Sequence, residues 1–355
     1  MKGIDICLSH DSAFRLLMRS EGLSESVEVV ADKGMRLALP YGEVAACVAH
    51  DLGLGPYCID VIASDQTPCC PGIFAHRAKD GDDLSVREVP IAGYGRVCVT
   101  SPEHTFVQLA RKHSLLETVY MGFALCSNYR IDPHAAHGVV ARSAECGALT
   151  SRKKLLAFID THPKMRGSGK ARRALAYVRD GSNSPMESAL AMGLGMPVIL
   201  GGFNAGRIAM SRRNRHHVAH SLTVSRSSAE DDAVLVVRGR RARGAASDDS
   251  RRLVIHLLGT MSATRMPRCS LAVSLPQILD YDSYRELCLG VRGSFSGMSP
   301  VGATGGCLAS RSLPRRESLC SERQEMFWRH IVCMSDFRSA EFGASSPARV
   351  LPPVA

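Results

Sequence analysis

Three groups of residues in this 355-residue chain have the types and spacing to do chemistry. The first is Ser184-Pro185-Met186-Glu187. A serine at a helix cap accepts a bond from the third helical N–H, and a glutamate three residues on reaches back to the cap's own N–H, so this tetrapeptide reads as a capping box. That role accounts for Glu187 without any reaction. The second group is His216, His217 and His220, where the spacing of four puts two imidazoles on one helix face, as zinc sites do. Neither an HExxH pattern nor a third ligand accompanies them, so the residues alone assign no metal there.

The third group is basic: Lys164, Arg166, Lys170, Arg172, Arg173 and Arg179. Two readings stand side by side, a solvated helix face and a surface that contacts phosphates. Farther on, Arg212, Arg213 and Arg215 open a stretch, residues 205–252, that holds 11 arginines. Lys170, Arg172, Arg173, Arg212, Arg213 and Arg215 are therefore the candidate nucleic-acid contacts. All eight lysines lie within residues 1–170, and residues 205–355 carry a charge of +9 against +1 for residues 1–204.

The elements that must position these groups are legible in part. Residues 9–20 predict a short helix with Ser9 as cap and Ala13, Phe14, Leu16 and Leu17 inward. A second helix is expected between Tyr41 and Leu52. Short β-branched runs at 57–65, 72–79, 84–93 and 96–100, separated by Pro, Gly and Asp, predict a small antiparallel sheet. Ser101-Pro102-Glu103 is a strong helix start, with serine as cap and proline in the first turn. One apolar stripe from Phe106 to Phe123 then predicts a single helix reaching Ser127, with His113 as a hydrogen-bonded core residue. Thr150 is expected to cap the segment 151–160, and residues 166–179 form a further helix with an exposed basic face. Beyond Gly201-Gly202 the periodicity weakens, although apolar runs return at 234–237, 253–258 and 269–275. Ser294–Ser312 is rich in Gly and Ser, and the last dozen residues read as a disordered tail.

Composition excludes several classes. Aromatic residues make up 5% of the chain and Trp328 is the single tryptophan, which argues against an aromatic platform for single strands. The apolar stretch from Leu190 to Phe203 is too short to span a bilayer. Residues 1–12 lack the apolar core of a signal peptide. The 13 cysteines are odd in number and include no CxxC, and they are expected to be small buried hydrophobes in a reducing cytoplasm.

The runs SHDSAFRLL, SPEHTFVQLA and SPMESALAMGLGMPVILGGF resemble bacterial proteins with an endonuclease-like domain related to very-short-patch-repair nucleases of the PD-(D/E)xK superfamily. Many of these carry an N-terminal region similar to AbiEi-type antitoxins. The resemblance spans about residues 8–203. It implies an α+β chain with an antitoxin-like module at 1–149, a helical lead-in at 150–203 and a degenerate nuclease-like or poorly ordered region at 204–355. It also implies that Glu187 is the first of several carboxylates sharing Mg²⁺, which would activate water against a phosphodiester in DNA. The nearest echo of the family's acidic strand is Asp280-Tyr281-Asp282, so Asp280 and Asp282 complete that expected set. The chain departs from the pattern in lacking a Trp-Pro pair and any lysine after residue 170. The resulting expectation is a cytoplasmic, DNA-acting protein with impaired catalysis. Its alternative is a non-catalytic, antitoxin-like nucleic-acid-binding regulator with a toxin partner. A changed reading frame after about residue 204 would also produce the shift to Arg, Ser, Gly and Ala.

Overall fold

The computed structural model of the chain describes most of residues 5–20, 42–63, 72–77 and 84–204. It also describes the strands at 28–30 and between 207 and 274, and short segments within 282–289 and 324–329. The chain is α+β and divides into two compact units, one built on residues 1–176 and the other on 177–335. No described helix is long and apolar enough to cross a membrane.

In the first unit, β1 (Ile6–Leu8), β2 (Glu28–Val30), β3 (Ile59–Ala63), β4 (Ile73–Arg77), β5 (Ser85–Val89) and β6 (Val97–Thr100) form one sheet in the order β2-β5-β6-β1-β3-β4. The sheet is mixed, not antiparallel as expected: β1 runs parallel to β6, with Cys7 beside Cys98, and β3 runs parallel to β4. Strand β1 was the missing information. Three residues are too few to show a period, and all three are fully buried, so no alternation betrays them. Cys7, Ile62, Leu84, Val86 and Cys98 form an apolar cluster in this sheet, and Cys126 is buried too, but Cys47 is exposed and Cys58 and Cys146 are half-buried, so the expectation of buried cysteines holds for only some of them.

The helices of this unit are α1 (His10–Arg19), α2 (Gly42–Asp51), α3 (Pro102–Lys112), α4 (Leu115–Leu125), α5 (Arg152–Thr161) and α6 (Ser168–Leu175). The stripe from Phe106 to Phe123 is broken into α3 and α4. The cause is local: Ser114 Oγ accepts from Glu117 N–H at 3.3 Å, and Glu117 Oε2 accepts from Ser114 N–H at 2.7 Å, a capping box that restarts the helix. Ser101 caps α3 as expected, accepting from His104 N–H at 3.2 Å. Helix α5 is capped by Ser151, which accepts from Lys154 N–H at 3.3 Å, whereas the Thr150 hydroxyl is spent on buried Glu103. Helix α6 approaches α3 so closely that a Cβ on Gly167, whose φ is +106°, would lie 2.4 Å from the Val107 carbonyl oxygen. Strands β7 (Tyr129–Ile131) and β8 (Val139–Ala141) pair as a separate antiparallel ribbon.

Arg142, just past β8, is fully buried. Its Nε donates to Tyr129 O at 3.1 Å, and its two terminal nitrogens donate to Ser20 O at 2.9 Å and Leu17 O at 3.1 Å. A guanidinium is thus set against the carbonyl end of α1, where the helix dipole favours a cation.

The second unit opens with α7 (Pro185–Gly195) and a 3-10 turn at Val198–Leu200. Strands β9 (Arg207–Met210), β10 (Leu222–Ser225), β11 (Ala233–Gly239), β12 (Arg252–Gly259) and β13 (Cys269–Ser274) follow as an antiparallel sheet in chain order. The apolar runs after residue 204 therefore lie in strands. Gly201 has a φ of +92° and packs on Phe327, where a Cβ would approach to 2.4 Å.

Candidate functional site

Among the described residues of the first unit, a group of interacting polar side chains gathers where β1 ends and α1 begins. Ser9 stands at the cap position of α1, but its hydroxyl does not cap the helix; Oγ lies 3.0 Å from His10 Nδ1. His10 has a φ of +47°, a left-handed conformation that a residue with a Cβ adopts at a cost. Its backbone N–H donates to Gln108 Oε1 of α3 at 3.0 Å, which holds the turn in place. The His10 ring stacks on His76 of edge strand β4, with centroids 3.6 Å apart and planes 21° from parallel.

Asp60 of β3 lies beneath the pair and is 2% exposed. His76 Nε2 is 2.9 Å from its Oδ1. Ser12 Oγ accepts from Asp60 N–H at 2.8 Å and faces Asp60 Oδ2 at 3.4 Å. A second carboxylate, Asp11, receives Lys112 Nζ at 2.6 Å and His113 Nε2 at 2.6 Å. Lys112 Nζ also lies 3.5 Å from Asp60 Oδ1 and 5.7 Å above the Phe74 ring. His113 is thus a hydrogen-bonded residue as expected, but at a half-buried polar junction instead of the apolar core.

Electrostatics follow from this packing. Burial, reinforced by neighbouring His76, lowers the His10 imidazole from 6.5 to about 3. Burial pushes Asp11 upward, but His113 and Lys112 outweigh it and hold the carboxyl well below its usual range. For Lys112, burial is outweighed by Asp11 and Asp60, which raise the ammonium. His10, Asp60 and His76 each offer one ligand atom within 4.8 Å of the others, and among the described residues they form the one such group of three or more.

The sequence reading did not single out this group, because its members lie 50 and 16 residues apart and meet only across strands. The signal lay in their neighbours. Asp60 interrupts the apolar run Ile59–Ala63, and His10 stands two residues past the buried triplet Ile6–Leu8.

The expected sites fall elsewhere. Glu187 is fully buried in the first turn of α7. Ser184 Oγ accepts from Glu187 N–H at 3.2 Å, as the capping box requires, but Glu187 Oε2 accepts from Asn183 N–H at 2.6 Å, one residue before the cap. Burial raises this carboxyl from 4.5 to about 7, against the opposing bonds from Asn183 and Ser182. Asp282 is exposed and in helical backbone, whereas Asp280 lies outside the described residues. Arg212, Arg213, Arg215 and the three histidines His216, His217 and His220 also lie outside them.

The basic group of the first unit is brought together by α5 and α6, which pack on one another. Arg152, Lys153, Lys154, Lys164, Arg166, Arg172 and Arg173 are exposed. Arg172 pairs with Asp160 at 2.5 Å, and Arg152 Nε donates to Leu175 O at 3.0 Å. Lys170 is partly turned inward, its Nζ donating to His113 O at 2.7 Å, which leaves it less able to reach a phosphate than its neighbours. No known family model matches the chain, and neither a curated protein nor a solved structure does.

Proposed function

We propose that the chain is a non-catalytic nucleic-acid-binding regulator that engages phosphates through the α5–α6 face. The observation that carries this reading is the imbalance of exposed charge over residues 151–176, where seven basic side chains stand against Asp160 alone. Short side-by-side helices with such a face match a polyanion through point charges and need no metal. The resemblance to antitoxin-like DNA-binding proteins points the same way. The endonuclease alternative needs Glu187, Asp280 and Asp282 on one Mg²⁺ ion, and Glu187 is already occupied with the start of α7.

Titration of a short fluorescent DNA duplex with the full chain tests the proposal. Affinity is expected to fall by about 100-fold between about 50 and 200 mM salt if four phosphates are neutralised. The triple substitution Lys153→Glu, Lys154→Glu and Arg173→Glu should flatten the salt slope by about 2 to 3. Salt-independent binding, or a slope untouched by the triple variant, overturns the reading. Cleavage of plasmid with Mg²⁺ that Glu187→Ala abolishes would replace it with the endonuclease.

A further inference from the structure

We infer that His10, Asp60 and His76 form a binding site for one divalent transition-metal ion of the zinc class. Two imidazoles and one carboxylate suit ions of intermediate hardness, whereas Mg²⁺ and Ca²⁺ prefer all-oxygen shells. The three donors come from three different elements, α1, β3 and β4, and their ligand atoms already lie within 4.8 Å of one another.

The outer atoms of two donors are tied as those of metal ligands are. Ser9 Oγ engages His10 Nδ1, which leaves Nε2 to the ion, and Ser12 Oγ faces Asp60 Oδ2, so that an ion would take the place of the hydrogen bond between Asp60 Oδ1 and His76 Nε2. The left-handed His10 backbone, anchored by Gln108, directs an imidazole over Asp60 where a relaxed helix start would not. Such strain at a polar cluster is expected where the side chain's placement matters.

The stacked rings must open to receive the ion. A tetrahedral ion lies near both ring planes at bonds of about 2.0–2.1 Å, with the two ligating nitrogens roughly 109° apart as seen from it. The rings are stacked with their planes 21° from parallel, so they must turn about χ2, a torsion with a broad minimum, to aim both nitrogens at one ion. Lys112 does not block entry. Asp11 holds its ammonium at 2.6 Å, and only the longer 3.5 Å approach to Asp60 has to be relinquished. His76 and Lys112 are partly exposed, which gives the ion a path from solvent. Three protein donors leave at least one coordination position for water or another exchangeable ligand.

The test uses the full chain stripped with chelator and then titrated with Zn²⁺ against a chromophoric competitor, with Co²⁺ as spectroscopic probe. One Zn²⁺ per chain should bind with micromolar or tighter affinity, and Co²⁺ should give ligand-field bands without thiolate charge transfer. His76→Ala, on the edge strand, should weaken Zn²⁺ at least 100-fold, and Ser12→Ala about 10-fold. The triple variant His216→Ala, His217→Ala and His220→Ala should bind as the parent does. Absent stoichiometric binding, thiolate absorption, equal competition by Mg²⁺, or loss in the triple histidine variant each overturns the site. So does Zn²⁺ binding that survives both His76→Ala and Asp60→Asn in variants whose metal-free melting matches the parent. If His76→Ala does not fold, His76→Asn serves in its place.

Discussion

Asp11 in the first unit and Glu187 in the second are both carboxyls withdrawn from water, and burial pushes both upward. They end on opposite sides of the ordinary range. Asp11 faces Lys112 and His113, brought from about 100 residues away in the chain, and their charge and hydrogen bonds reverse the effect of burial. Glu187 meets Asn183, Ser182 and Ser184, all within five residues, and these neutral donors leave burial in control. Burial therefore decides a group's charge only where the fold has supplied no opposing one. Long-range pairing makes an ionic junction, and local capping makes a neutral one.

The largest expected effect is an opposition of pH slopes. In the first unit, His104 is buried against Phe158, and burial with His162 nearby lowers it from 6.5 to about 4. Its folded value lies below its unfolded one, so its contribution is fully present above about pH 6.5 and is lost as pH falls through about 4. For Glu187 the folded value of about 7 lies above 4.5, so its contribution is full below pH 4.5 and is lost as pH rises through about 7. Each group carries about 3 kcal/mol over its window. Trp328, the single tryptophan, lies in the second unit, so its fluorescence follows that unit during denaturation at each pH. His104→Leu should lessen the acid-side loss of the first unit seen by circular dichroism, to which His10 and Asp11 also contribute, and Glu187→Gln should abolish the neutral-side loss seen by Trp328. Parallel slopes in both units would break the comparison.

Next in size is Lys112→Met, which removes the lesser of the two partners that, after His113, reverse burial at Asp11. The first unit should lose about 1–2 kcal/mol near pH 7, a modest figure because the ammonium is 41% exposed. The Asp11 carboxyl should move up, toward the behaviour of Glu187, in a carbon-detected NMR titration. An unmoved carboxyl would mean that His113 alone sustains the junction. The smallest effect is Ser184→Ala. Loss of that cap should cost about 1 kcal/mol and shift the Trp328 denaturation midpoint without changing its pH slope.

What the sequence disclosed follows the same division between local and distant. Ser101-Pro102, the capped turn at Ser184 and the strands around 59–63, 73–77 and 97–100 were readable, because each is specified by neighbours in the chain. The break at Ser114 was equally local, but the apolar stripe running across it hid the capping box. The parallel pairings of β1 with β6 and of β3 with β4 were not readable, nor was the meeting of His10, Asp60 and His76. Those depend on strand order, which no short window encodes. Glu187 was legible in its local role: Ser184 caps the helix as the motif requires, and the carboxylate accepts from Asn183 N–H, one residue before the cap.

Helix α1 has both ends held by other elements, with Gln108 on its first N–H and Arg142 on the carbonyls of Leu17 and Ser20. Helix ends ordinarily fray because their backbone groups can exchange partners for water. Here, release of either end requires breaking a contact with α3 or with the Arg142 guanidinium. The terminal amides of α1 should therefore exchange with solvent deuterium as slowly as those in its middle, and the helix should open as one piece with the unit that grips it.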